Sequence, residues 1–300
     1  MSISTIGRAQ ARSGMLFVLS SAILWGTVGV TTKALYGLSA TTPLSIGFFR
    51  LGIASPILLA VGWRALKWRL FKIPARDLGL MALIGILMGY YQVSFFTAVQ
   101  SLGAAVATLI TLCTAPAMVA ILSTLLTKER LTAKILASMV FALLGTTLLI
   151  QVRPESAFSG SGLSGVAWAL SSALGYSGML IISRDLAGRY HPVQPYAIGL
   201  GLGALLLFGV AQAGGGLVLS YPPAGWALLC YLAVVPTALA FGLFITGMQH
   251  TPATVASIIT LLEPLTSTIL AWLFFKEQLG PLGAAGAALL CGAMLLLWRR

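Results

Sequence analysis

The sequence predicts an all-α polytopic membrane protein with ten transmembrane helices in two inverted five-helix repeats. Hydrophobic residues make up 58% of the 300-residue chain and charged residues only 8%, whereas soluble domains carry about 25% charged residues. Apolar runs of about 18 residues or more recur along the chain, which is enough for a helix to cross the hydrocarbon core. The chain lacks the alternating strands of a β-barrel. These patterns exclude a soluble protein and predict helical spans.

A segment that occurs twice predicts the repeats. Residues 106–112 read VATLITL, and residues 255–261 read VASIITL. Each copy leads to a proline, Pro116 in the first and Pro264 in the second. Duplicated halves in so apolar a chain are typical of transporters.

Hydropathy and the breaks between apolar runs define the spans in order. The first run follows two arginines but has no A-x-A cleavage site, so it is predicted to be a retained span rather than a signal peptide. The join contains Pro154 and a Ser/Gly run at 159–162, which is typical of a linker. We therefore divide the chain into repeats 1–153 and 154–300. The ten predicted spans are about 14–35, 43–63, 77–99, 102–126, 132–151, 162–183, 193–213, 224–247, 252–275 and 281–298.

The positions of the charges predict the orientation. The net charge is +12, but the basic residues form short clusters between apolar runs, which is typical of topology signals and argues against a nucleic-acid partner. With the N-terminus inside, cytoplasmic segments hold fourteen of the 18 basic residues, five of them in the connection 64–76. Both termini are therefore predicted to be cytoplasmic. Because each half has an odd number of spans, the second half lies inverted.

Cysteines, histidines and carboxylates exclude several classes of protein. Cys113, Cys230 and Cys291 lie in apolar runs and the two histidines stand alone, so we predict no disulfide framework, metal site or cofactor. An intramembrane protease needs a Ser–His pair, paired aspartates or metal-binding histidines at membrane depth. Asp77 and Asp185 lie at helix ends instead. The chain also lacks the charged rings and pore-lining motifs of an ion channel and a nucleotide-binding P-loop.

Three groups of residues carry a family resemblance. They are Trp25-Gly26, then Pro116 with Glu129-Arg130-Leu131, and then Glu263-Pro264 with Lys276-Glu277-Gln278-Leu279. Over essentially the whole chain, the sequence resembles the EamA-type members of the drug/metabolite transporter superfamily, and it is most similar to the YddG-type aromatic amino-acid exporters of Gram-negative bacteria. The resemblance implies a bacterial inner (plasma) membrane protein that exports aromatic and other hydrophobic amino acids. Exporters of purines, nucleotide sugars or multiple drugs remain alternatives.

Ionisable and aromatic residues at membrane depth are the candidate site. Arg50 suits a substrate carboxylate, although snorkelling to the interface or pairing of helices explains it equally well. Glu263 can bind an ammonium group or a proton, but we favour a structural role beside Pro264, because broken helices need polar partners. Aromatic walls with scattered hydroxyls suit an amphipathic solute. The predicted substrate-binding residues are Trp25, Arg50, Tyr90, Tyr91, Gln92, Phe95, Thr111, Trp168, Tyr176, Ser257 and Thr260, and the predicted hinge or coupling residues are Pro116, Glu263 and Pro264.

Small residues and aliphatic spans predict how the helices pack. The pairs Gly85/Gly89 and Gly199/Gly203 are spaced for close helix crossing. The fifth and tenth spans contain almost no polar residues, so we predict an outer scaffold that faces lipid or a partner. The predicted partners are a small-molecule substrate and the lipid bilayer, with the chain a monomer or a homodimer.

Overall fold

The computed structural model describes residues 3–102, 104–126, 131–150, 162–214, 216–275 and 280–298. These ranges are almost entirely helical and contain no strand, which confirms the all-α prediction. Nine helical segments of the described ranges, some of them made of consecutive helices, are long and apolar enough to cross a membrane, and Ala133–Leu149 is a shorter apolar helix. The predicted polytopic class is therefore confirmed. The join between the repeats, and the motif residues 129–130 and 276–279, lie outside the described ranges.

Each predicted span corresponds to one helix or to one pair of consecutive helices. Apart from the start of the first helix, the observed ends lie within three residues of the predicted ones. That helix begins earlier, at Ile3, and the guanidinium of Arg12 within it lies 5.7 Å from the ring centroid of Trp298. The helices are α1 (Ile3–Leu38), α2 (Pro43–Leu66), α3 (Ala75–Leu102), α4 (Ala104–Leu126), α5 (Ala133–Ile150), α6 (Gly162–Leu186), α7 (Gln194–Gly214), α8 (Pro223–Ala233), α9 (Ala240–Met248), α10 (Ala253–Ile259), α11 (Leu262–Phe275) and α12 (Pro281–Trp298).

Equivalent helices of the two halves exchange partners. The first helix of the second half, α6, packs against α3 and α4 of the first half. Its counterpart α1 packs against α9 and α11 of the second half. Two further pairs join the halves, α2 with α7 and α5 with α12. The two halves are thus interlocked rather than side by side.

Glycines allow the closest crossings. A Cβ added to Gly85 of α3 would overlap the carbonyl oxygen of Gly199 in α7. A Cβ added to Gly145 of α5 would lie 2.7 Å from the carbonyl oxygen of Gly286 in α12. Backbone meets backbone at both crossings, so no side chain fits there.

The eighth span has a π-helical stretch, Val234–Leu239, between α8 and α9. Pro236 has no N–H to donate to the carbonyl of Leu232, four residues earlier. The hydroxyl of Thr237 donates to that carbonyl instead, at 2.7 Å. The sequence predicted a single span over 224–247 here, and the proline with its neighbouring threonine explains the π-helical stretch within it.

The ninth span is broken at Thr260 and Leu261, between α10 and α11. Pro264 cannot donate to the Thr260 carbonyl, and the main-chain N–H of Glu263 donates to it at 2.9 Å. In the first half α4 continues through Pro116 without a break. The two repeat-related prolines therefore lie in different local structures.

The helix bundle is closed at the end where α10 begins. Both α4 and α6 pack against α10, and within the described ranges neither packs comparably against α11. Ser123 of α4 meets Thr254 of α10, hydroxyl to hydroxyl, at 2.8 Å, and the fully buried Tyr196 of α7 stacks on Phe241 of α9 with 4.4 Å between ring centroids. Every residue of 253–262 is buried, and the chain becomes partly exposed at Glu263.

Charged groups reinforce the same end. Arg189, in the connection after α6, forms ion pairs with Asp77 at 3.2 Å and with Asp185 at 2.6 Å. Tyr190 donates to the Asp77 carboxylate, and this hydrogen bond raises the pKa of the Tyr190 hydroxyl. The hydroxyl therefore remains protonated as a donor. Both aspartates lie at helix ends, as the sequence predicted.

Candidate functional site

Four predicted residues from four helices come together inside the bundle, and we call them the central cluster. They are Arg50 of α2, Tyr91 of α3, Tyr176 of α6 and Glu263 of α11. Arg50, Tyr91 and Glu263 interact electrostatically with one another, and the rings of Tyr91 and Tyr176 lie 5.7 Å apart. All four side chains are enclosed by protein yet only half-buried. They therefore line an accessible cavity.

The π-helical stretch positions Arg50. The Arg50 Nε donates to the hydroxyl oxygen of Thr237 at 3.3 Å. The Thr237 hydroxyl oxygen can accept this hydrogen bond because its own hydrogen is donated to the Leu232 carbonyl. Within the described part of the chain, Arg50 makes no ion pair, and its terminal N–H groups make no hydrogen bond. Parallel N–H groups of this kind are the geometry that a carboxylate meets with two hydrogen bonds.

Sequence reasoning missed Thr237 and Pro236 as supports of this site. The available signal was a proline in the middle of a long apolar run with a hydroxyl residue beside it. At such a pair the proline interrupts the main-chain hydrogen bonds of the helix, and the neighbouring side chain satisfies a carbonyl that the proline leaves free. Interruptions of the π type are frequent at functional sites.

The broken ninth span supplies the other side of the cluster. The Tyr176 hydroxyl donates to Thr260 Oγ1 at 3.4 Å, and Thr260 in turn donates to the Ser257 carbonyl at 2.9 Å. The main-chain N–H of Glu263 donates to the Thr260 carbonyl, which Pro264 leaves free. Its carboxylate makes no hydrogen bond or ion pair with any described residue. The carboxylate is thus left facing Arg50 and the two tyrosines.

Aromatic rings extend the cluster along α3. Phe95 lies one turn beyond Tyr91, with 6.2 Å between ring centroids and an angle of 23° between the planes. Trp25 is only 6% exposed and packs between Phe241 and Phe244, with 5.1 Å to each ring centroid. Trp25 therefore belongs to the aromatic core of the closed end and offers little free surface to a solute.

Three other predicted binding residues are buried between helices. Thr111 donates to the Ala169 carbonyl at 3.2 Å and joins α4 to α6. Ser257 donates within its own helix, to the Thr254 carbonyl. Gln92 is buried against α2, where its Oε1 would lie 2.7 Å from a Cβ added to Gly47. The structure thus places these three in helix packing, apart from the central cluster.

Two predicted binding residues lie at the exposed edge of the α3–α6 pair. Tyr90 is 42% exposed and Trp168 is 40% exposed. The Tyr90 hydroxyl contacts the Ser171 hydroxyl of α6. The structure therefore places Tyr90 outside the central cluster, although Tyr91 beside it is a member.

A comparison with known protein families identifies the class. The model of the EamA-like transporter family matches this chain twice, at residues 12–151 and 163–299. The chain belongs to the EamA-like transporter family. It is a membrane transporter of the drug/metabolite transporter superfamily and not an enzyme.

Individual relatives agree with this class over most of their length. The chain is 33% identical to the uncharacterized transporter YwfM of Bacillus subtilis, over 94% of this chain and 92% of that protein. It is 30% identical to an uncharacterized transporter of Archaeoglobus fulgidus, over 96% of this chain and 97% of that protein. A solved crystal structure that is 21% identical has the same fold, with a TM-score of 0.82 over 95% of this chain and 96% of its own. The likeness to YddG-type exporters stays a prediction.

Proposed function

We propose that this transporter exports small amphipathic metabolites, in particular aromatic and other hydrophobic amino acids, by alternating access around the central cluster. One observation carries the proposal. The Arg50 guanidinium, from the first half, and the Glu263 carboxylate, from the second, face one cavity together with two tyrosine rings. A site with one positive group, one negative group and an aromatic wall matches a zwitterion that has an apolar side chain.

Each part of such a substrate has a complementary group. The carboxylate fits the terminal N–H groups of Arg50 with charge-assisted hydrogen bonds. The ammonium group fits the Glu263 carboxylate, and the apolar side chain fits the rings of Tyr91, Tyr176 and Phe95. Unpaired charges inside a membrane protein are costly unless water or a ligand reaches them. The substrate would replace water at both charges, which favours a zwitterion over a neutral drug.

Two groups of helices would move against each other during transport. We assign α3, α4 and α6 to one group and α1, α9, α10 and α11 to the other, with α10 in contact with both α1 and α4. The two groups touch at the closed end, where Ser123 contacts Thr254. Pro264 lies where the second group diverges from the first. In the predicted inverted topology the closed end is cytoplasmic and the cavity opens outward. Labelling of a cysteine in the connection 64–76 from the external side would overturn this orientation.

The substrate assignment predicts selective uptake by proteoliposomes. Purified protein should transport phenylalanine, tryptophan and leucine faster than aspartate or a purine. We expect Tyr91→Ala and Tyr176→Ala each to lower the initial rate of phenylalanine uptake about fivefold, since losing a ring contact costs about 1 kcal/mol. The matched control is Tyr231→Ala, because this tyrosine of α8 is exposed and distant in sequence from the cluster. Unchanged rates in both cluster variants would place the cavity elsewhere, and a preference for purines would favour the alternative substrate class.

The role of Glu263 can be separated from energy coupling. We expect the wild type to equilibrate phenylalanine without accumulating it under an imposed pH gradient. Glu263→Gln keeps the shape of the side chain and removes its charge, so the variant should still equilibrate substrate, about tenfold more slowly, because a charge-assisted bond to the ammonium group is lost. Accumulation driven by the gradient in the wild type, and abolished in Glu263→Gln, would instead identify this carboxylate as the proton carrier.

A further inference from the structure

A short 3₁₀ helix, Lys67–Phe71, follows α2 at the closed end of the bundle. It begins at Lys67, whose φ of 51° is the only positive φ at a non-glycine residue in the described part of the chain. Its anchor is Leu70, which is fully buried, and the Leu70 carbonyl accepts a hydrogen bond from Gln194 Nε2 at 2.8 Å. Gly62 of α2 makes room for the Leu70 side chain. The short helix is therefore fixed firmly to the bundle.

Three residues per turn give this short helix distinct faces. Trp68 and Phe71 share one face and are 71% and 57% exposed, which is unusual for such large apolar rings. The ring of Trp63 lies edge-on to Trp68, with 4.9 Å between centroids, and completes an aromatic wedge. Leu70 occupies the buried face. Arg69 occupies the remaining face, and Lys72, three residues later, continues it.

Charge surrounds the wedge. The connection 64–76 contains five basic residues and no acidic one. The first acid after it is Asp77, which is already engaged by Arg189 and Tyr190. The basic residues are Arg64, Lys67, Arg69, Lys72 and Arg76, and none of them forms an ion pair with a described residue. A basic rim around exposed aromatic rings, at the end of a membrane span, complements a negatively charged lipid headgroup.

We propose that the Lys67–Phe71 helix is a binding site for anionic phospholipid headgroups. Arg69 and Lys72 pair with the phosphate, and Trp68 and Phe71 enter the boundary between headgroups and acyl chains. Lipid bound here holds the end of α2, the helix that carries Arg50, at a fixed depth in the membrane. The inference rests on this surface alone and is independent of the transported substrate.

Spin-labelled lipids test this site directly. The protein is reconstituted in phosphatidylcholine with trace spin-labelled phosphatidylglycerol or phosphatidylcholine, and electron paramagnetic resonance gives the fraction of each that is immobilised on the protein. We expect the wild type to prefer phosphatidylglycerol, and Arg69→Gln with Lys72→Gln to weaken that preference about fivefold or more, since each surface charge contributes roughly that factor. The charge-matched control, Arg299→Gln with Arg300→Gln, should keep the preference.

Each outcome decides the proposal. An equal loss in the control would show that net charge, and not this surface, attracts the lipid. No loss in the Arg69/Lys72 variant would overturn the site. If that variant does not fold, two other measurements test the site. They are the lipid preference of Trp68→Ala and the salt dependence of the lipid preference of the wild type. Unchanged selectivity in Trp68→Ala and at high salt excludes a headgroup site here, and then a protein partner for the wedge would be the better explanation.

Discussion

Arg50→Ala is expected to reduce amino-acid uptake by proteoliposomes about 100-fold, because two charge-assisted hydrogen bonds to the substrate carboxylate are together worth about 3 kcal/mol. The structure supports a large loss of uptake because the terminal N–H groups of Arg50 form no hydrogen bond with a described residue. These groups are therefore available to a ligand. Initial rates of phenylalanine uptake, normalised to folded protein, measure the effect.

Two graded variants show how the guanidinium acts. Arg50→Lys keeps the charge but loses the parallel N–H pair, so we expect a loss of about tenfold. Thr237→Val removes the acceptor that orients Arg50, and its effect should appear mainly as a higher KM. Wild-type uptake by well-folded Arg50→Ala would mean that this residue snorkels or pairs helices and that the carboxylate binds elsewhere.

Gly85→Ala is expected to destabilise the protein by about 3 kcal/mol or more, because the added methyl group meets a backbone carbonyl that cannot rotate away. The overlap of the added Cβ with the Gly199 oxygen can be relieved only if α3 and α7 separate. The melting temperature of detergent-solubilised protein, followed by size-exclusion chromatography, should fall sharply, or no monodisperse protein should be recovered.

Gly79→Ala is the matched control for this crossing. It makes the same chemical change in the same helix, but nothing lies within 4 Å of the added Cβ. Its melting temperature should stay level or rise slightly, since alanine favours helix over glycine by about 1 kcal/mol. Equal melting temperatures for Gly85→Ala and wild type would show that the α3–α7 crossing is looser than described.

The ends of most helices were predictable from sequence, whereas the kind of departure from regular helix at each proline was not. Span ends follow the change from apolar to polar residues, which hydropathy records directly. A proline in a span is compatible with a continuous helix, a π-helical stretch or a break, and Pro116, Pro236 and Pro264 show one case each. The second copy of the repeat has one residue fewer between its threonine and its proline, Thr260 and Pro264, than the first copy has between Thr111 and Pro116. The two prolines therefore have different neighbours.

The candidate site was predictable only where the chemistry of one residue was decisive. Arg50 and Glu263 stood out because ionisable groups at membrane depth are costly. The consecutive residues Tyr90, Tyr91 and Gln92 point in three directions about 100° apart, toward an exposed edge, the cavity and α2 respectively. Which of them faces the cavity depends on the neighbouring helices, and the sequence does not specify those neighbours.

The exchange of helices between the halves has a consequence for biosynthesis. All the substantial partners of α1 lie in the second half of the chain, and the Ser21 hydroxyl donates to the carbonyl of Ala240, more than two hundred residues later. The first span to enter the membrane therefore finds its packing surface only after nearly the whole chain has been translated. Until then α1 must persist in lipid by its own hydrophobicity, so insertion and assembly of this protein are separate events in time.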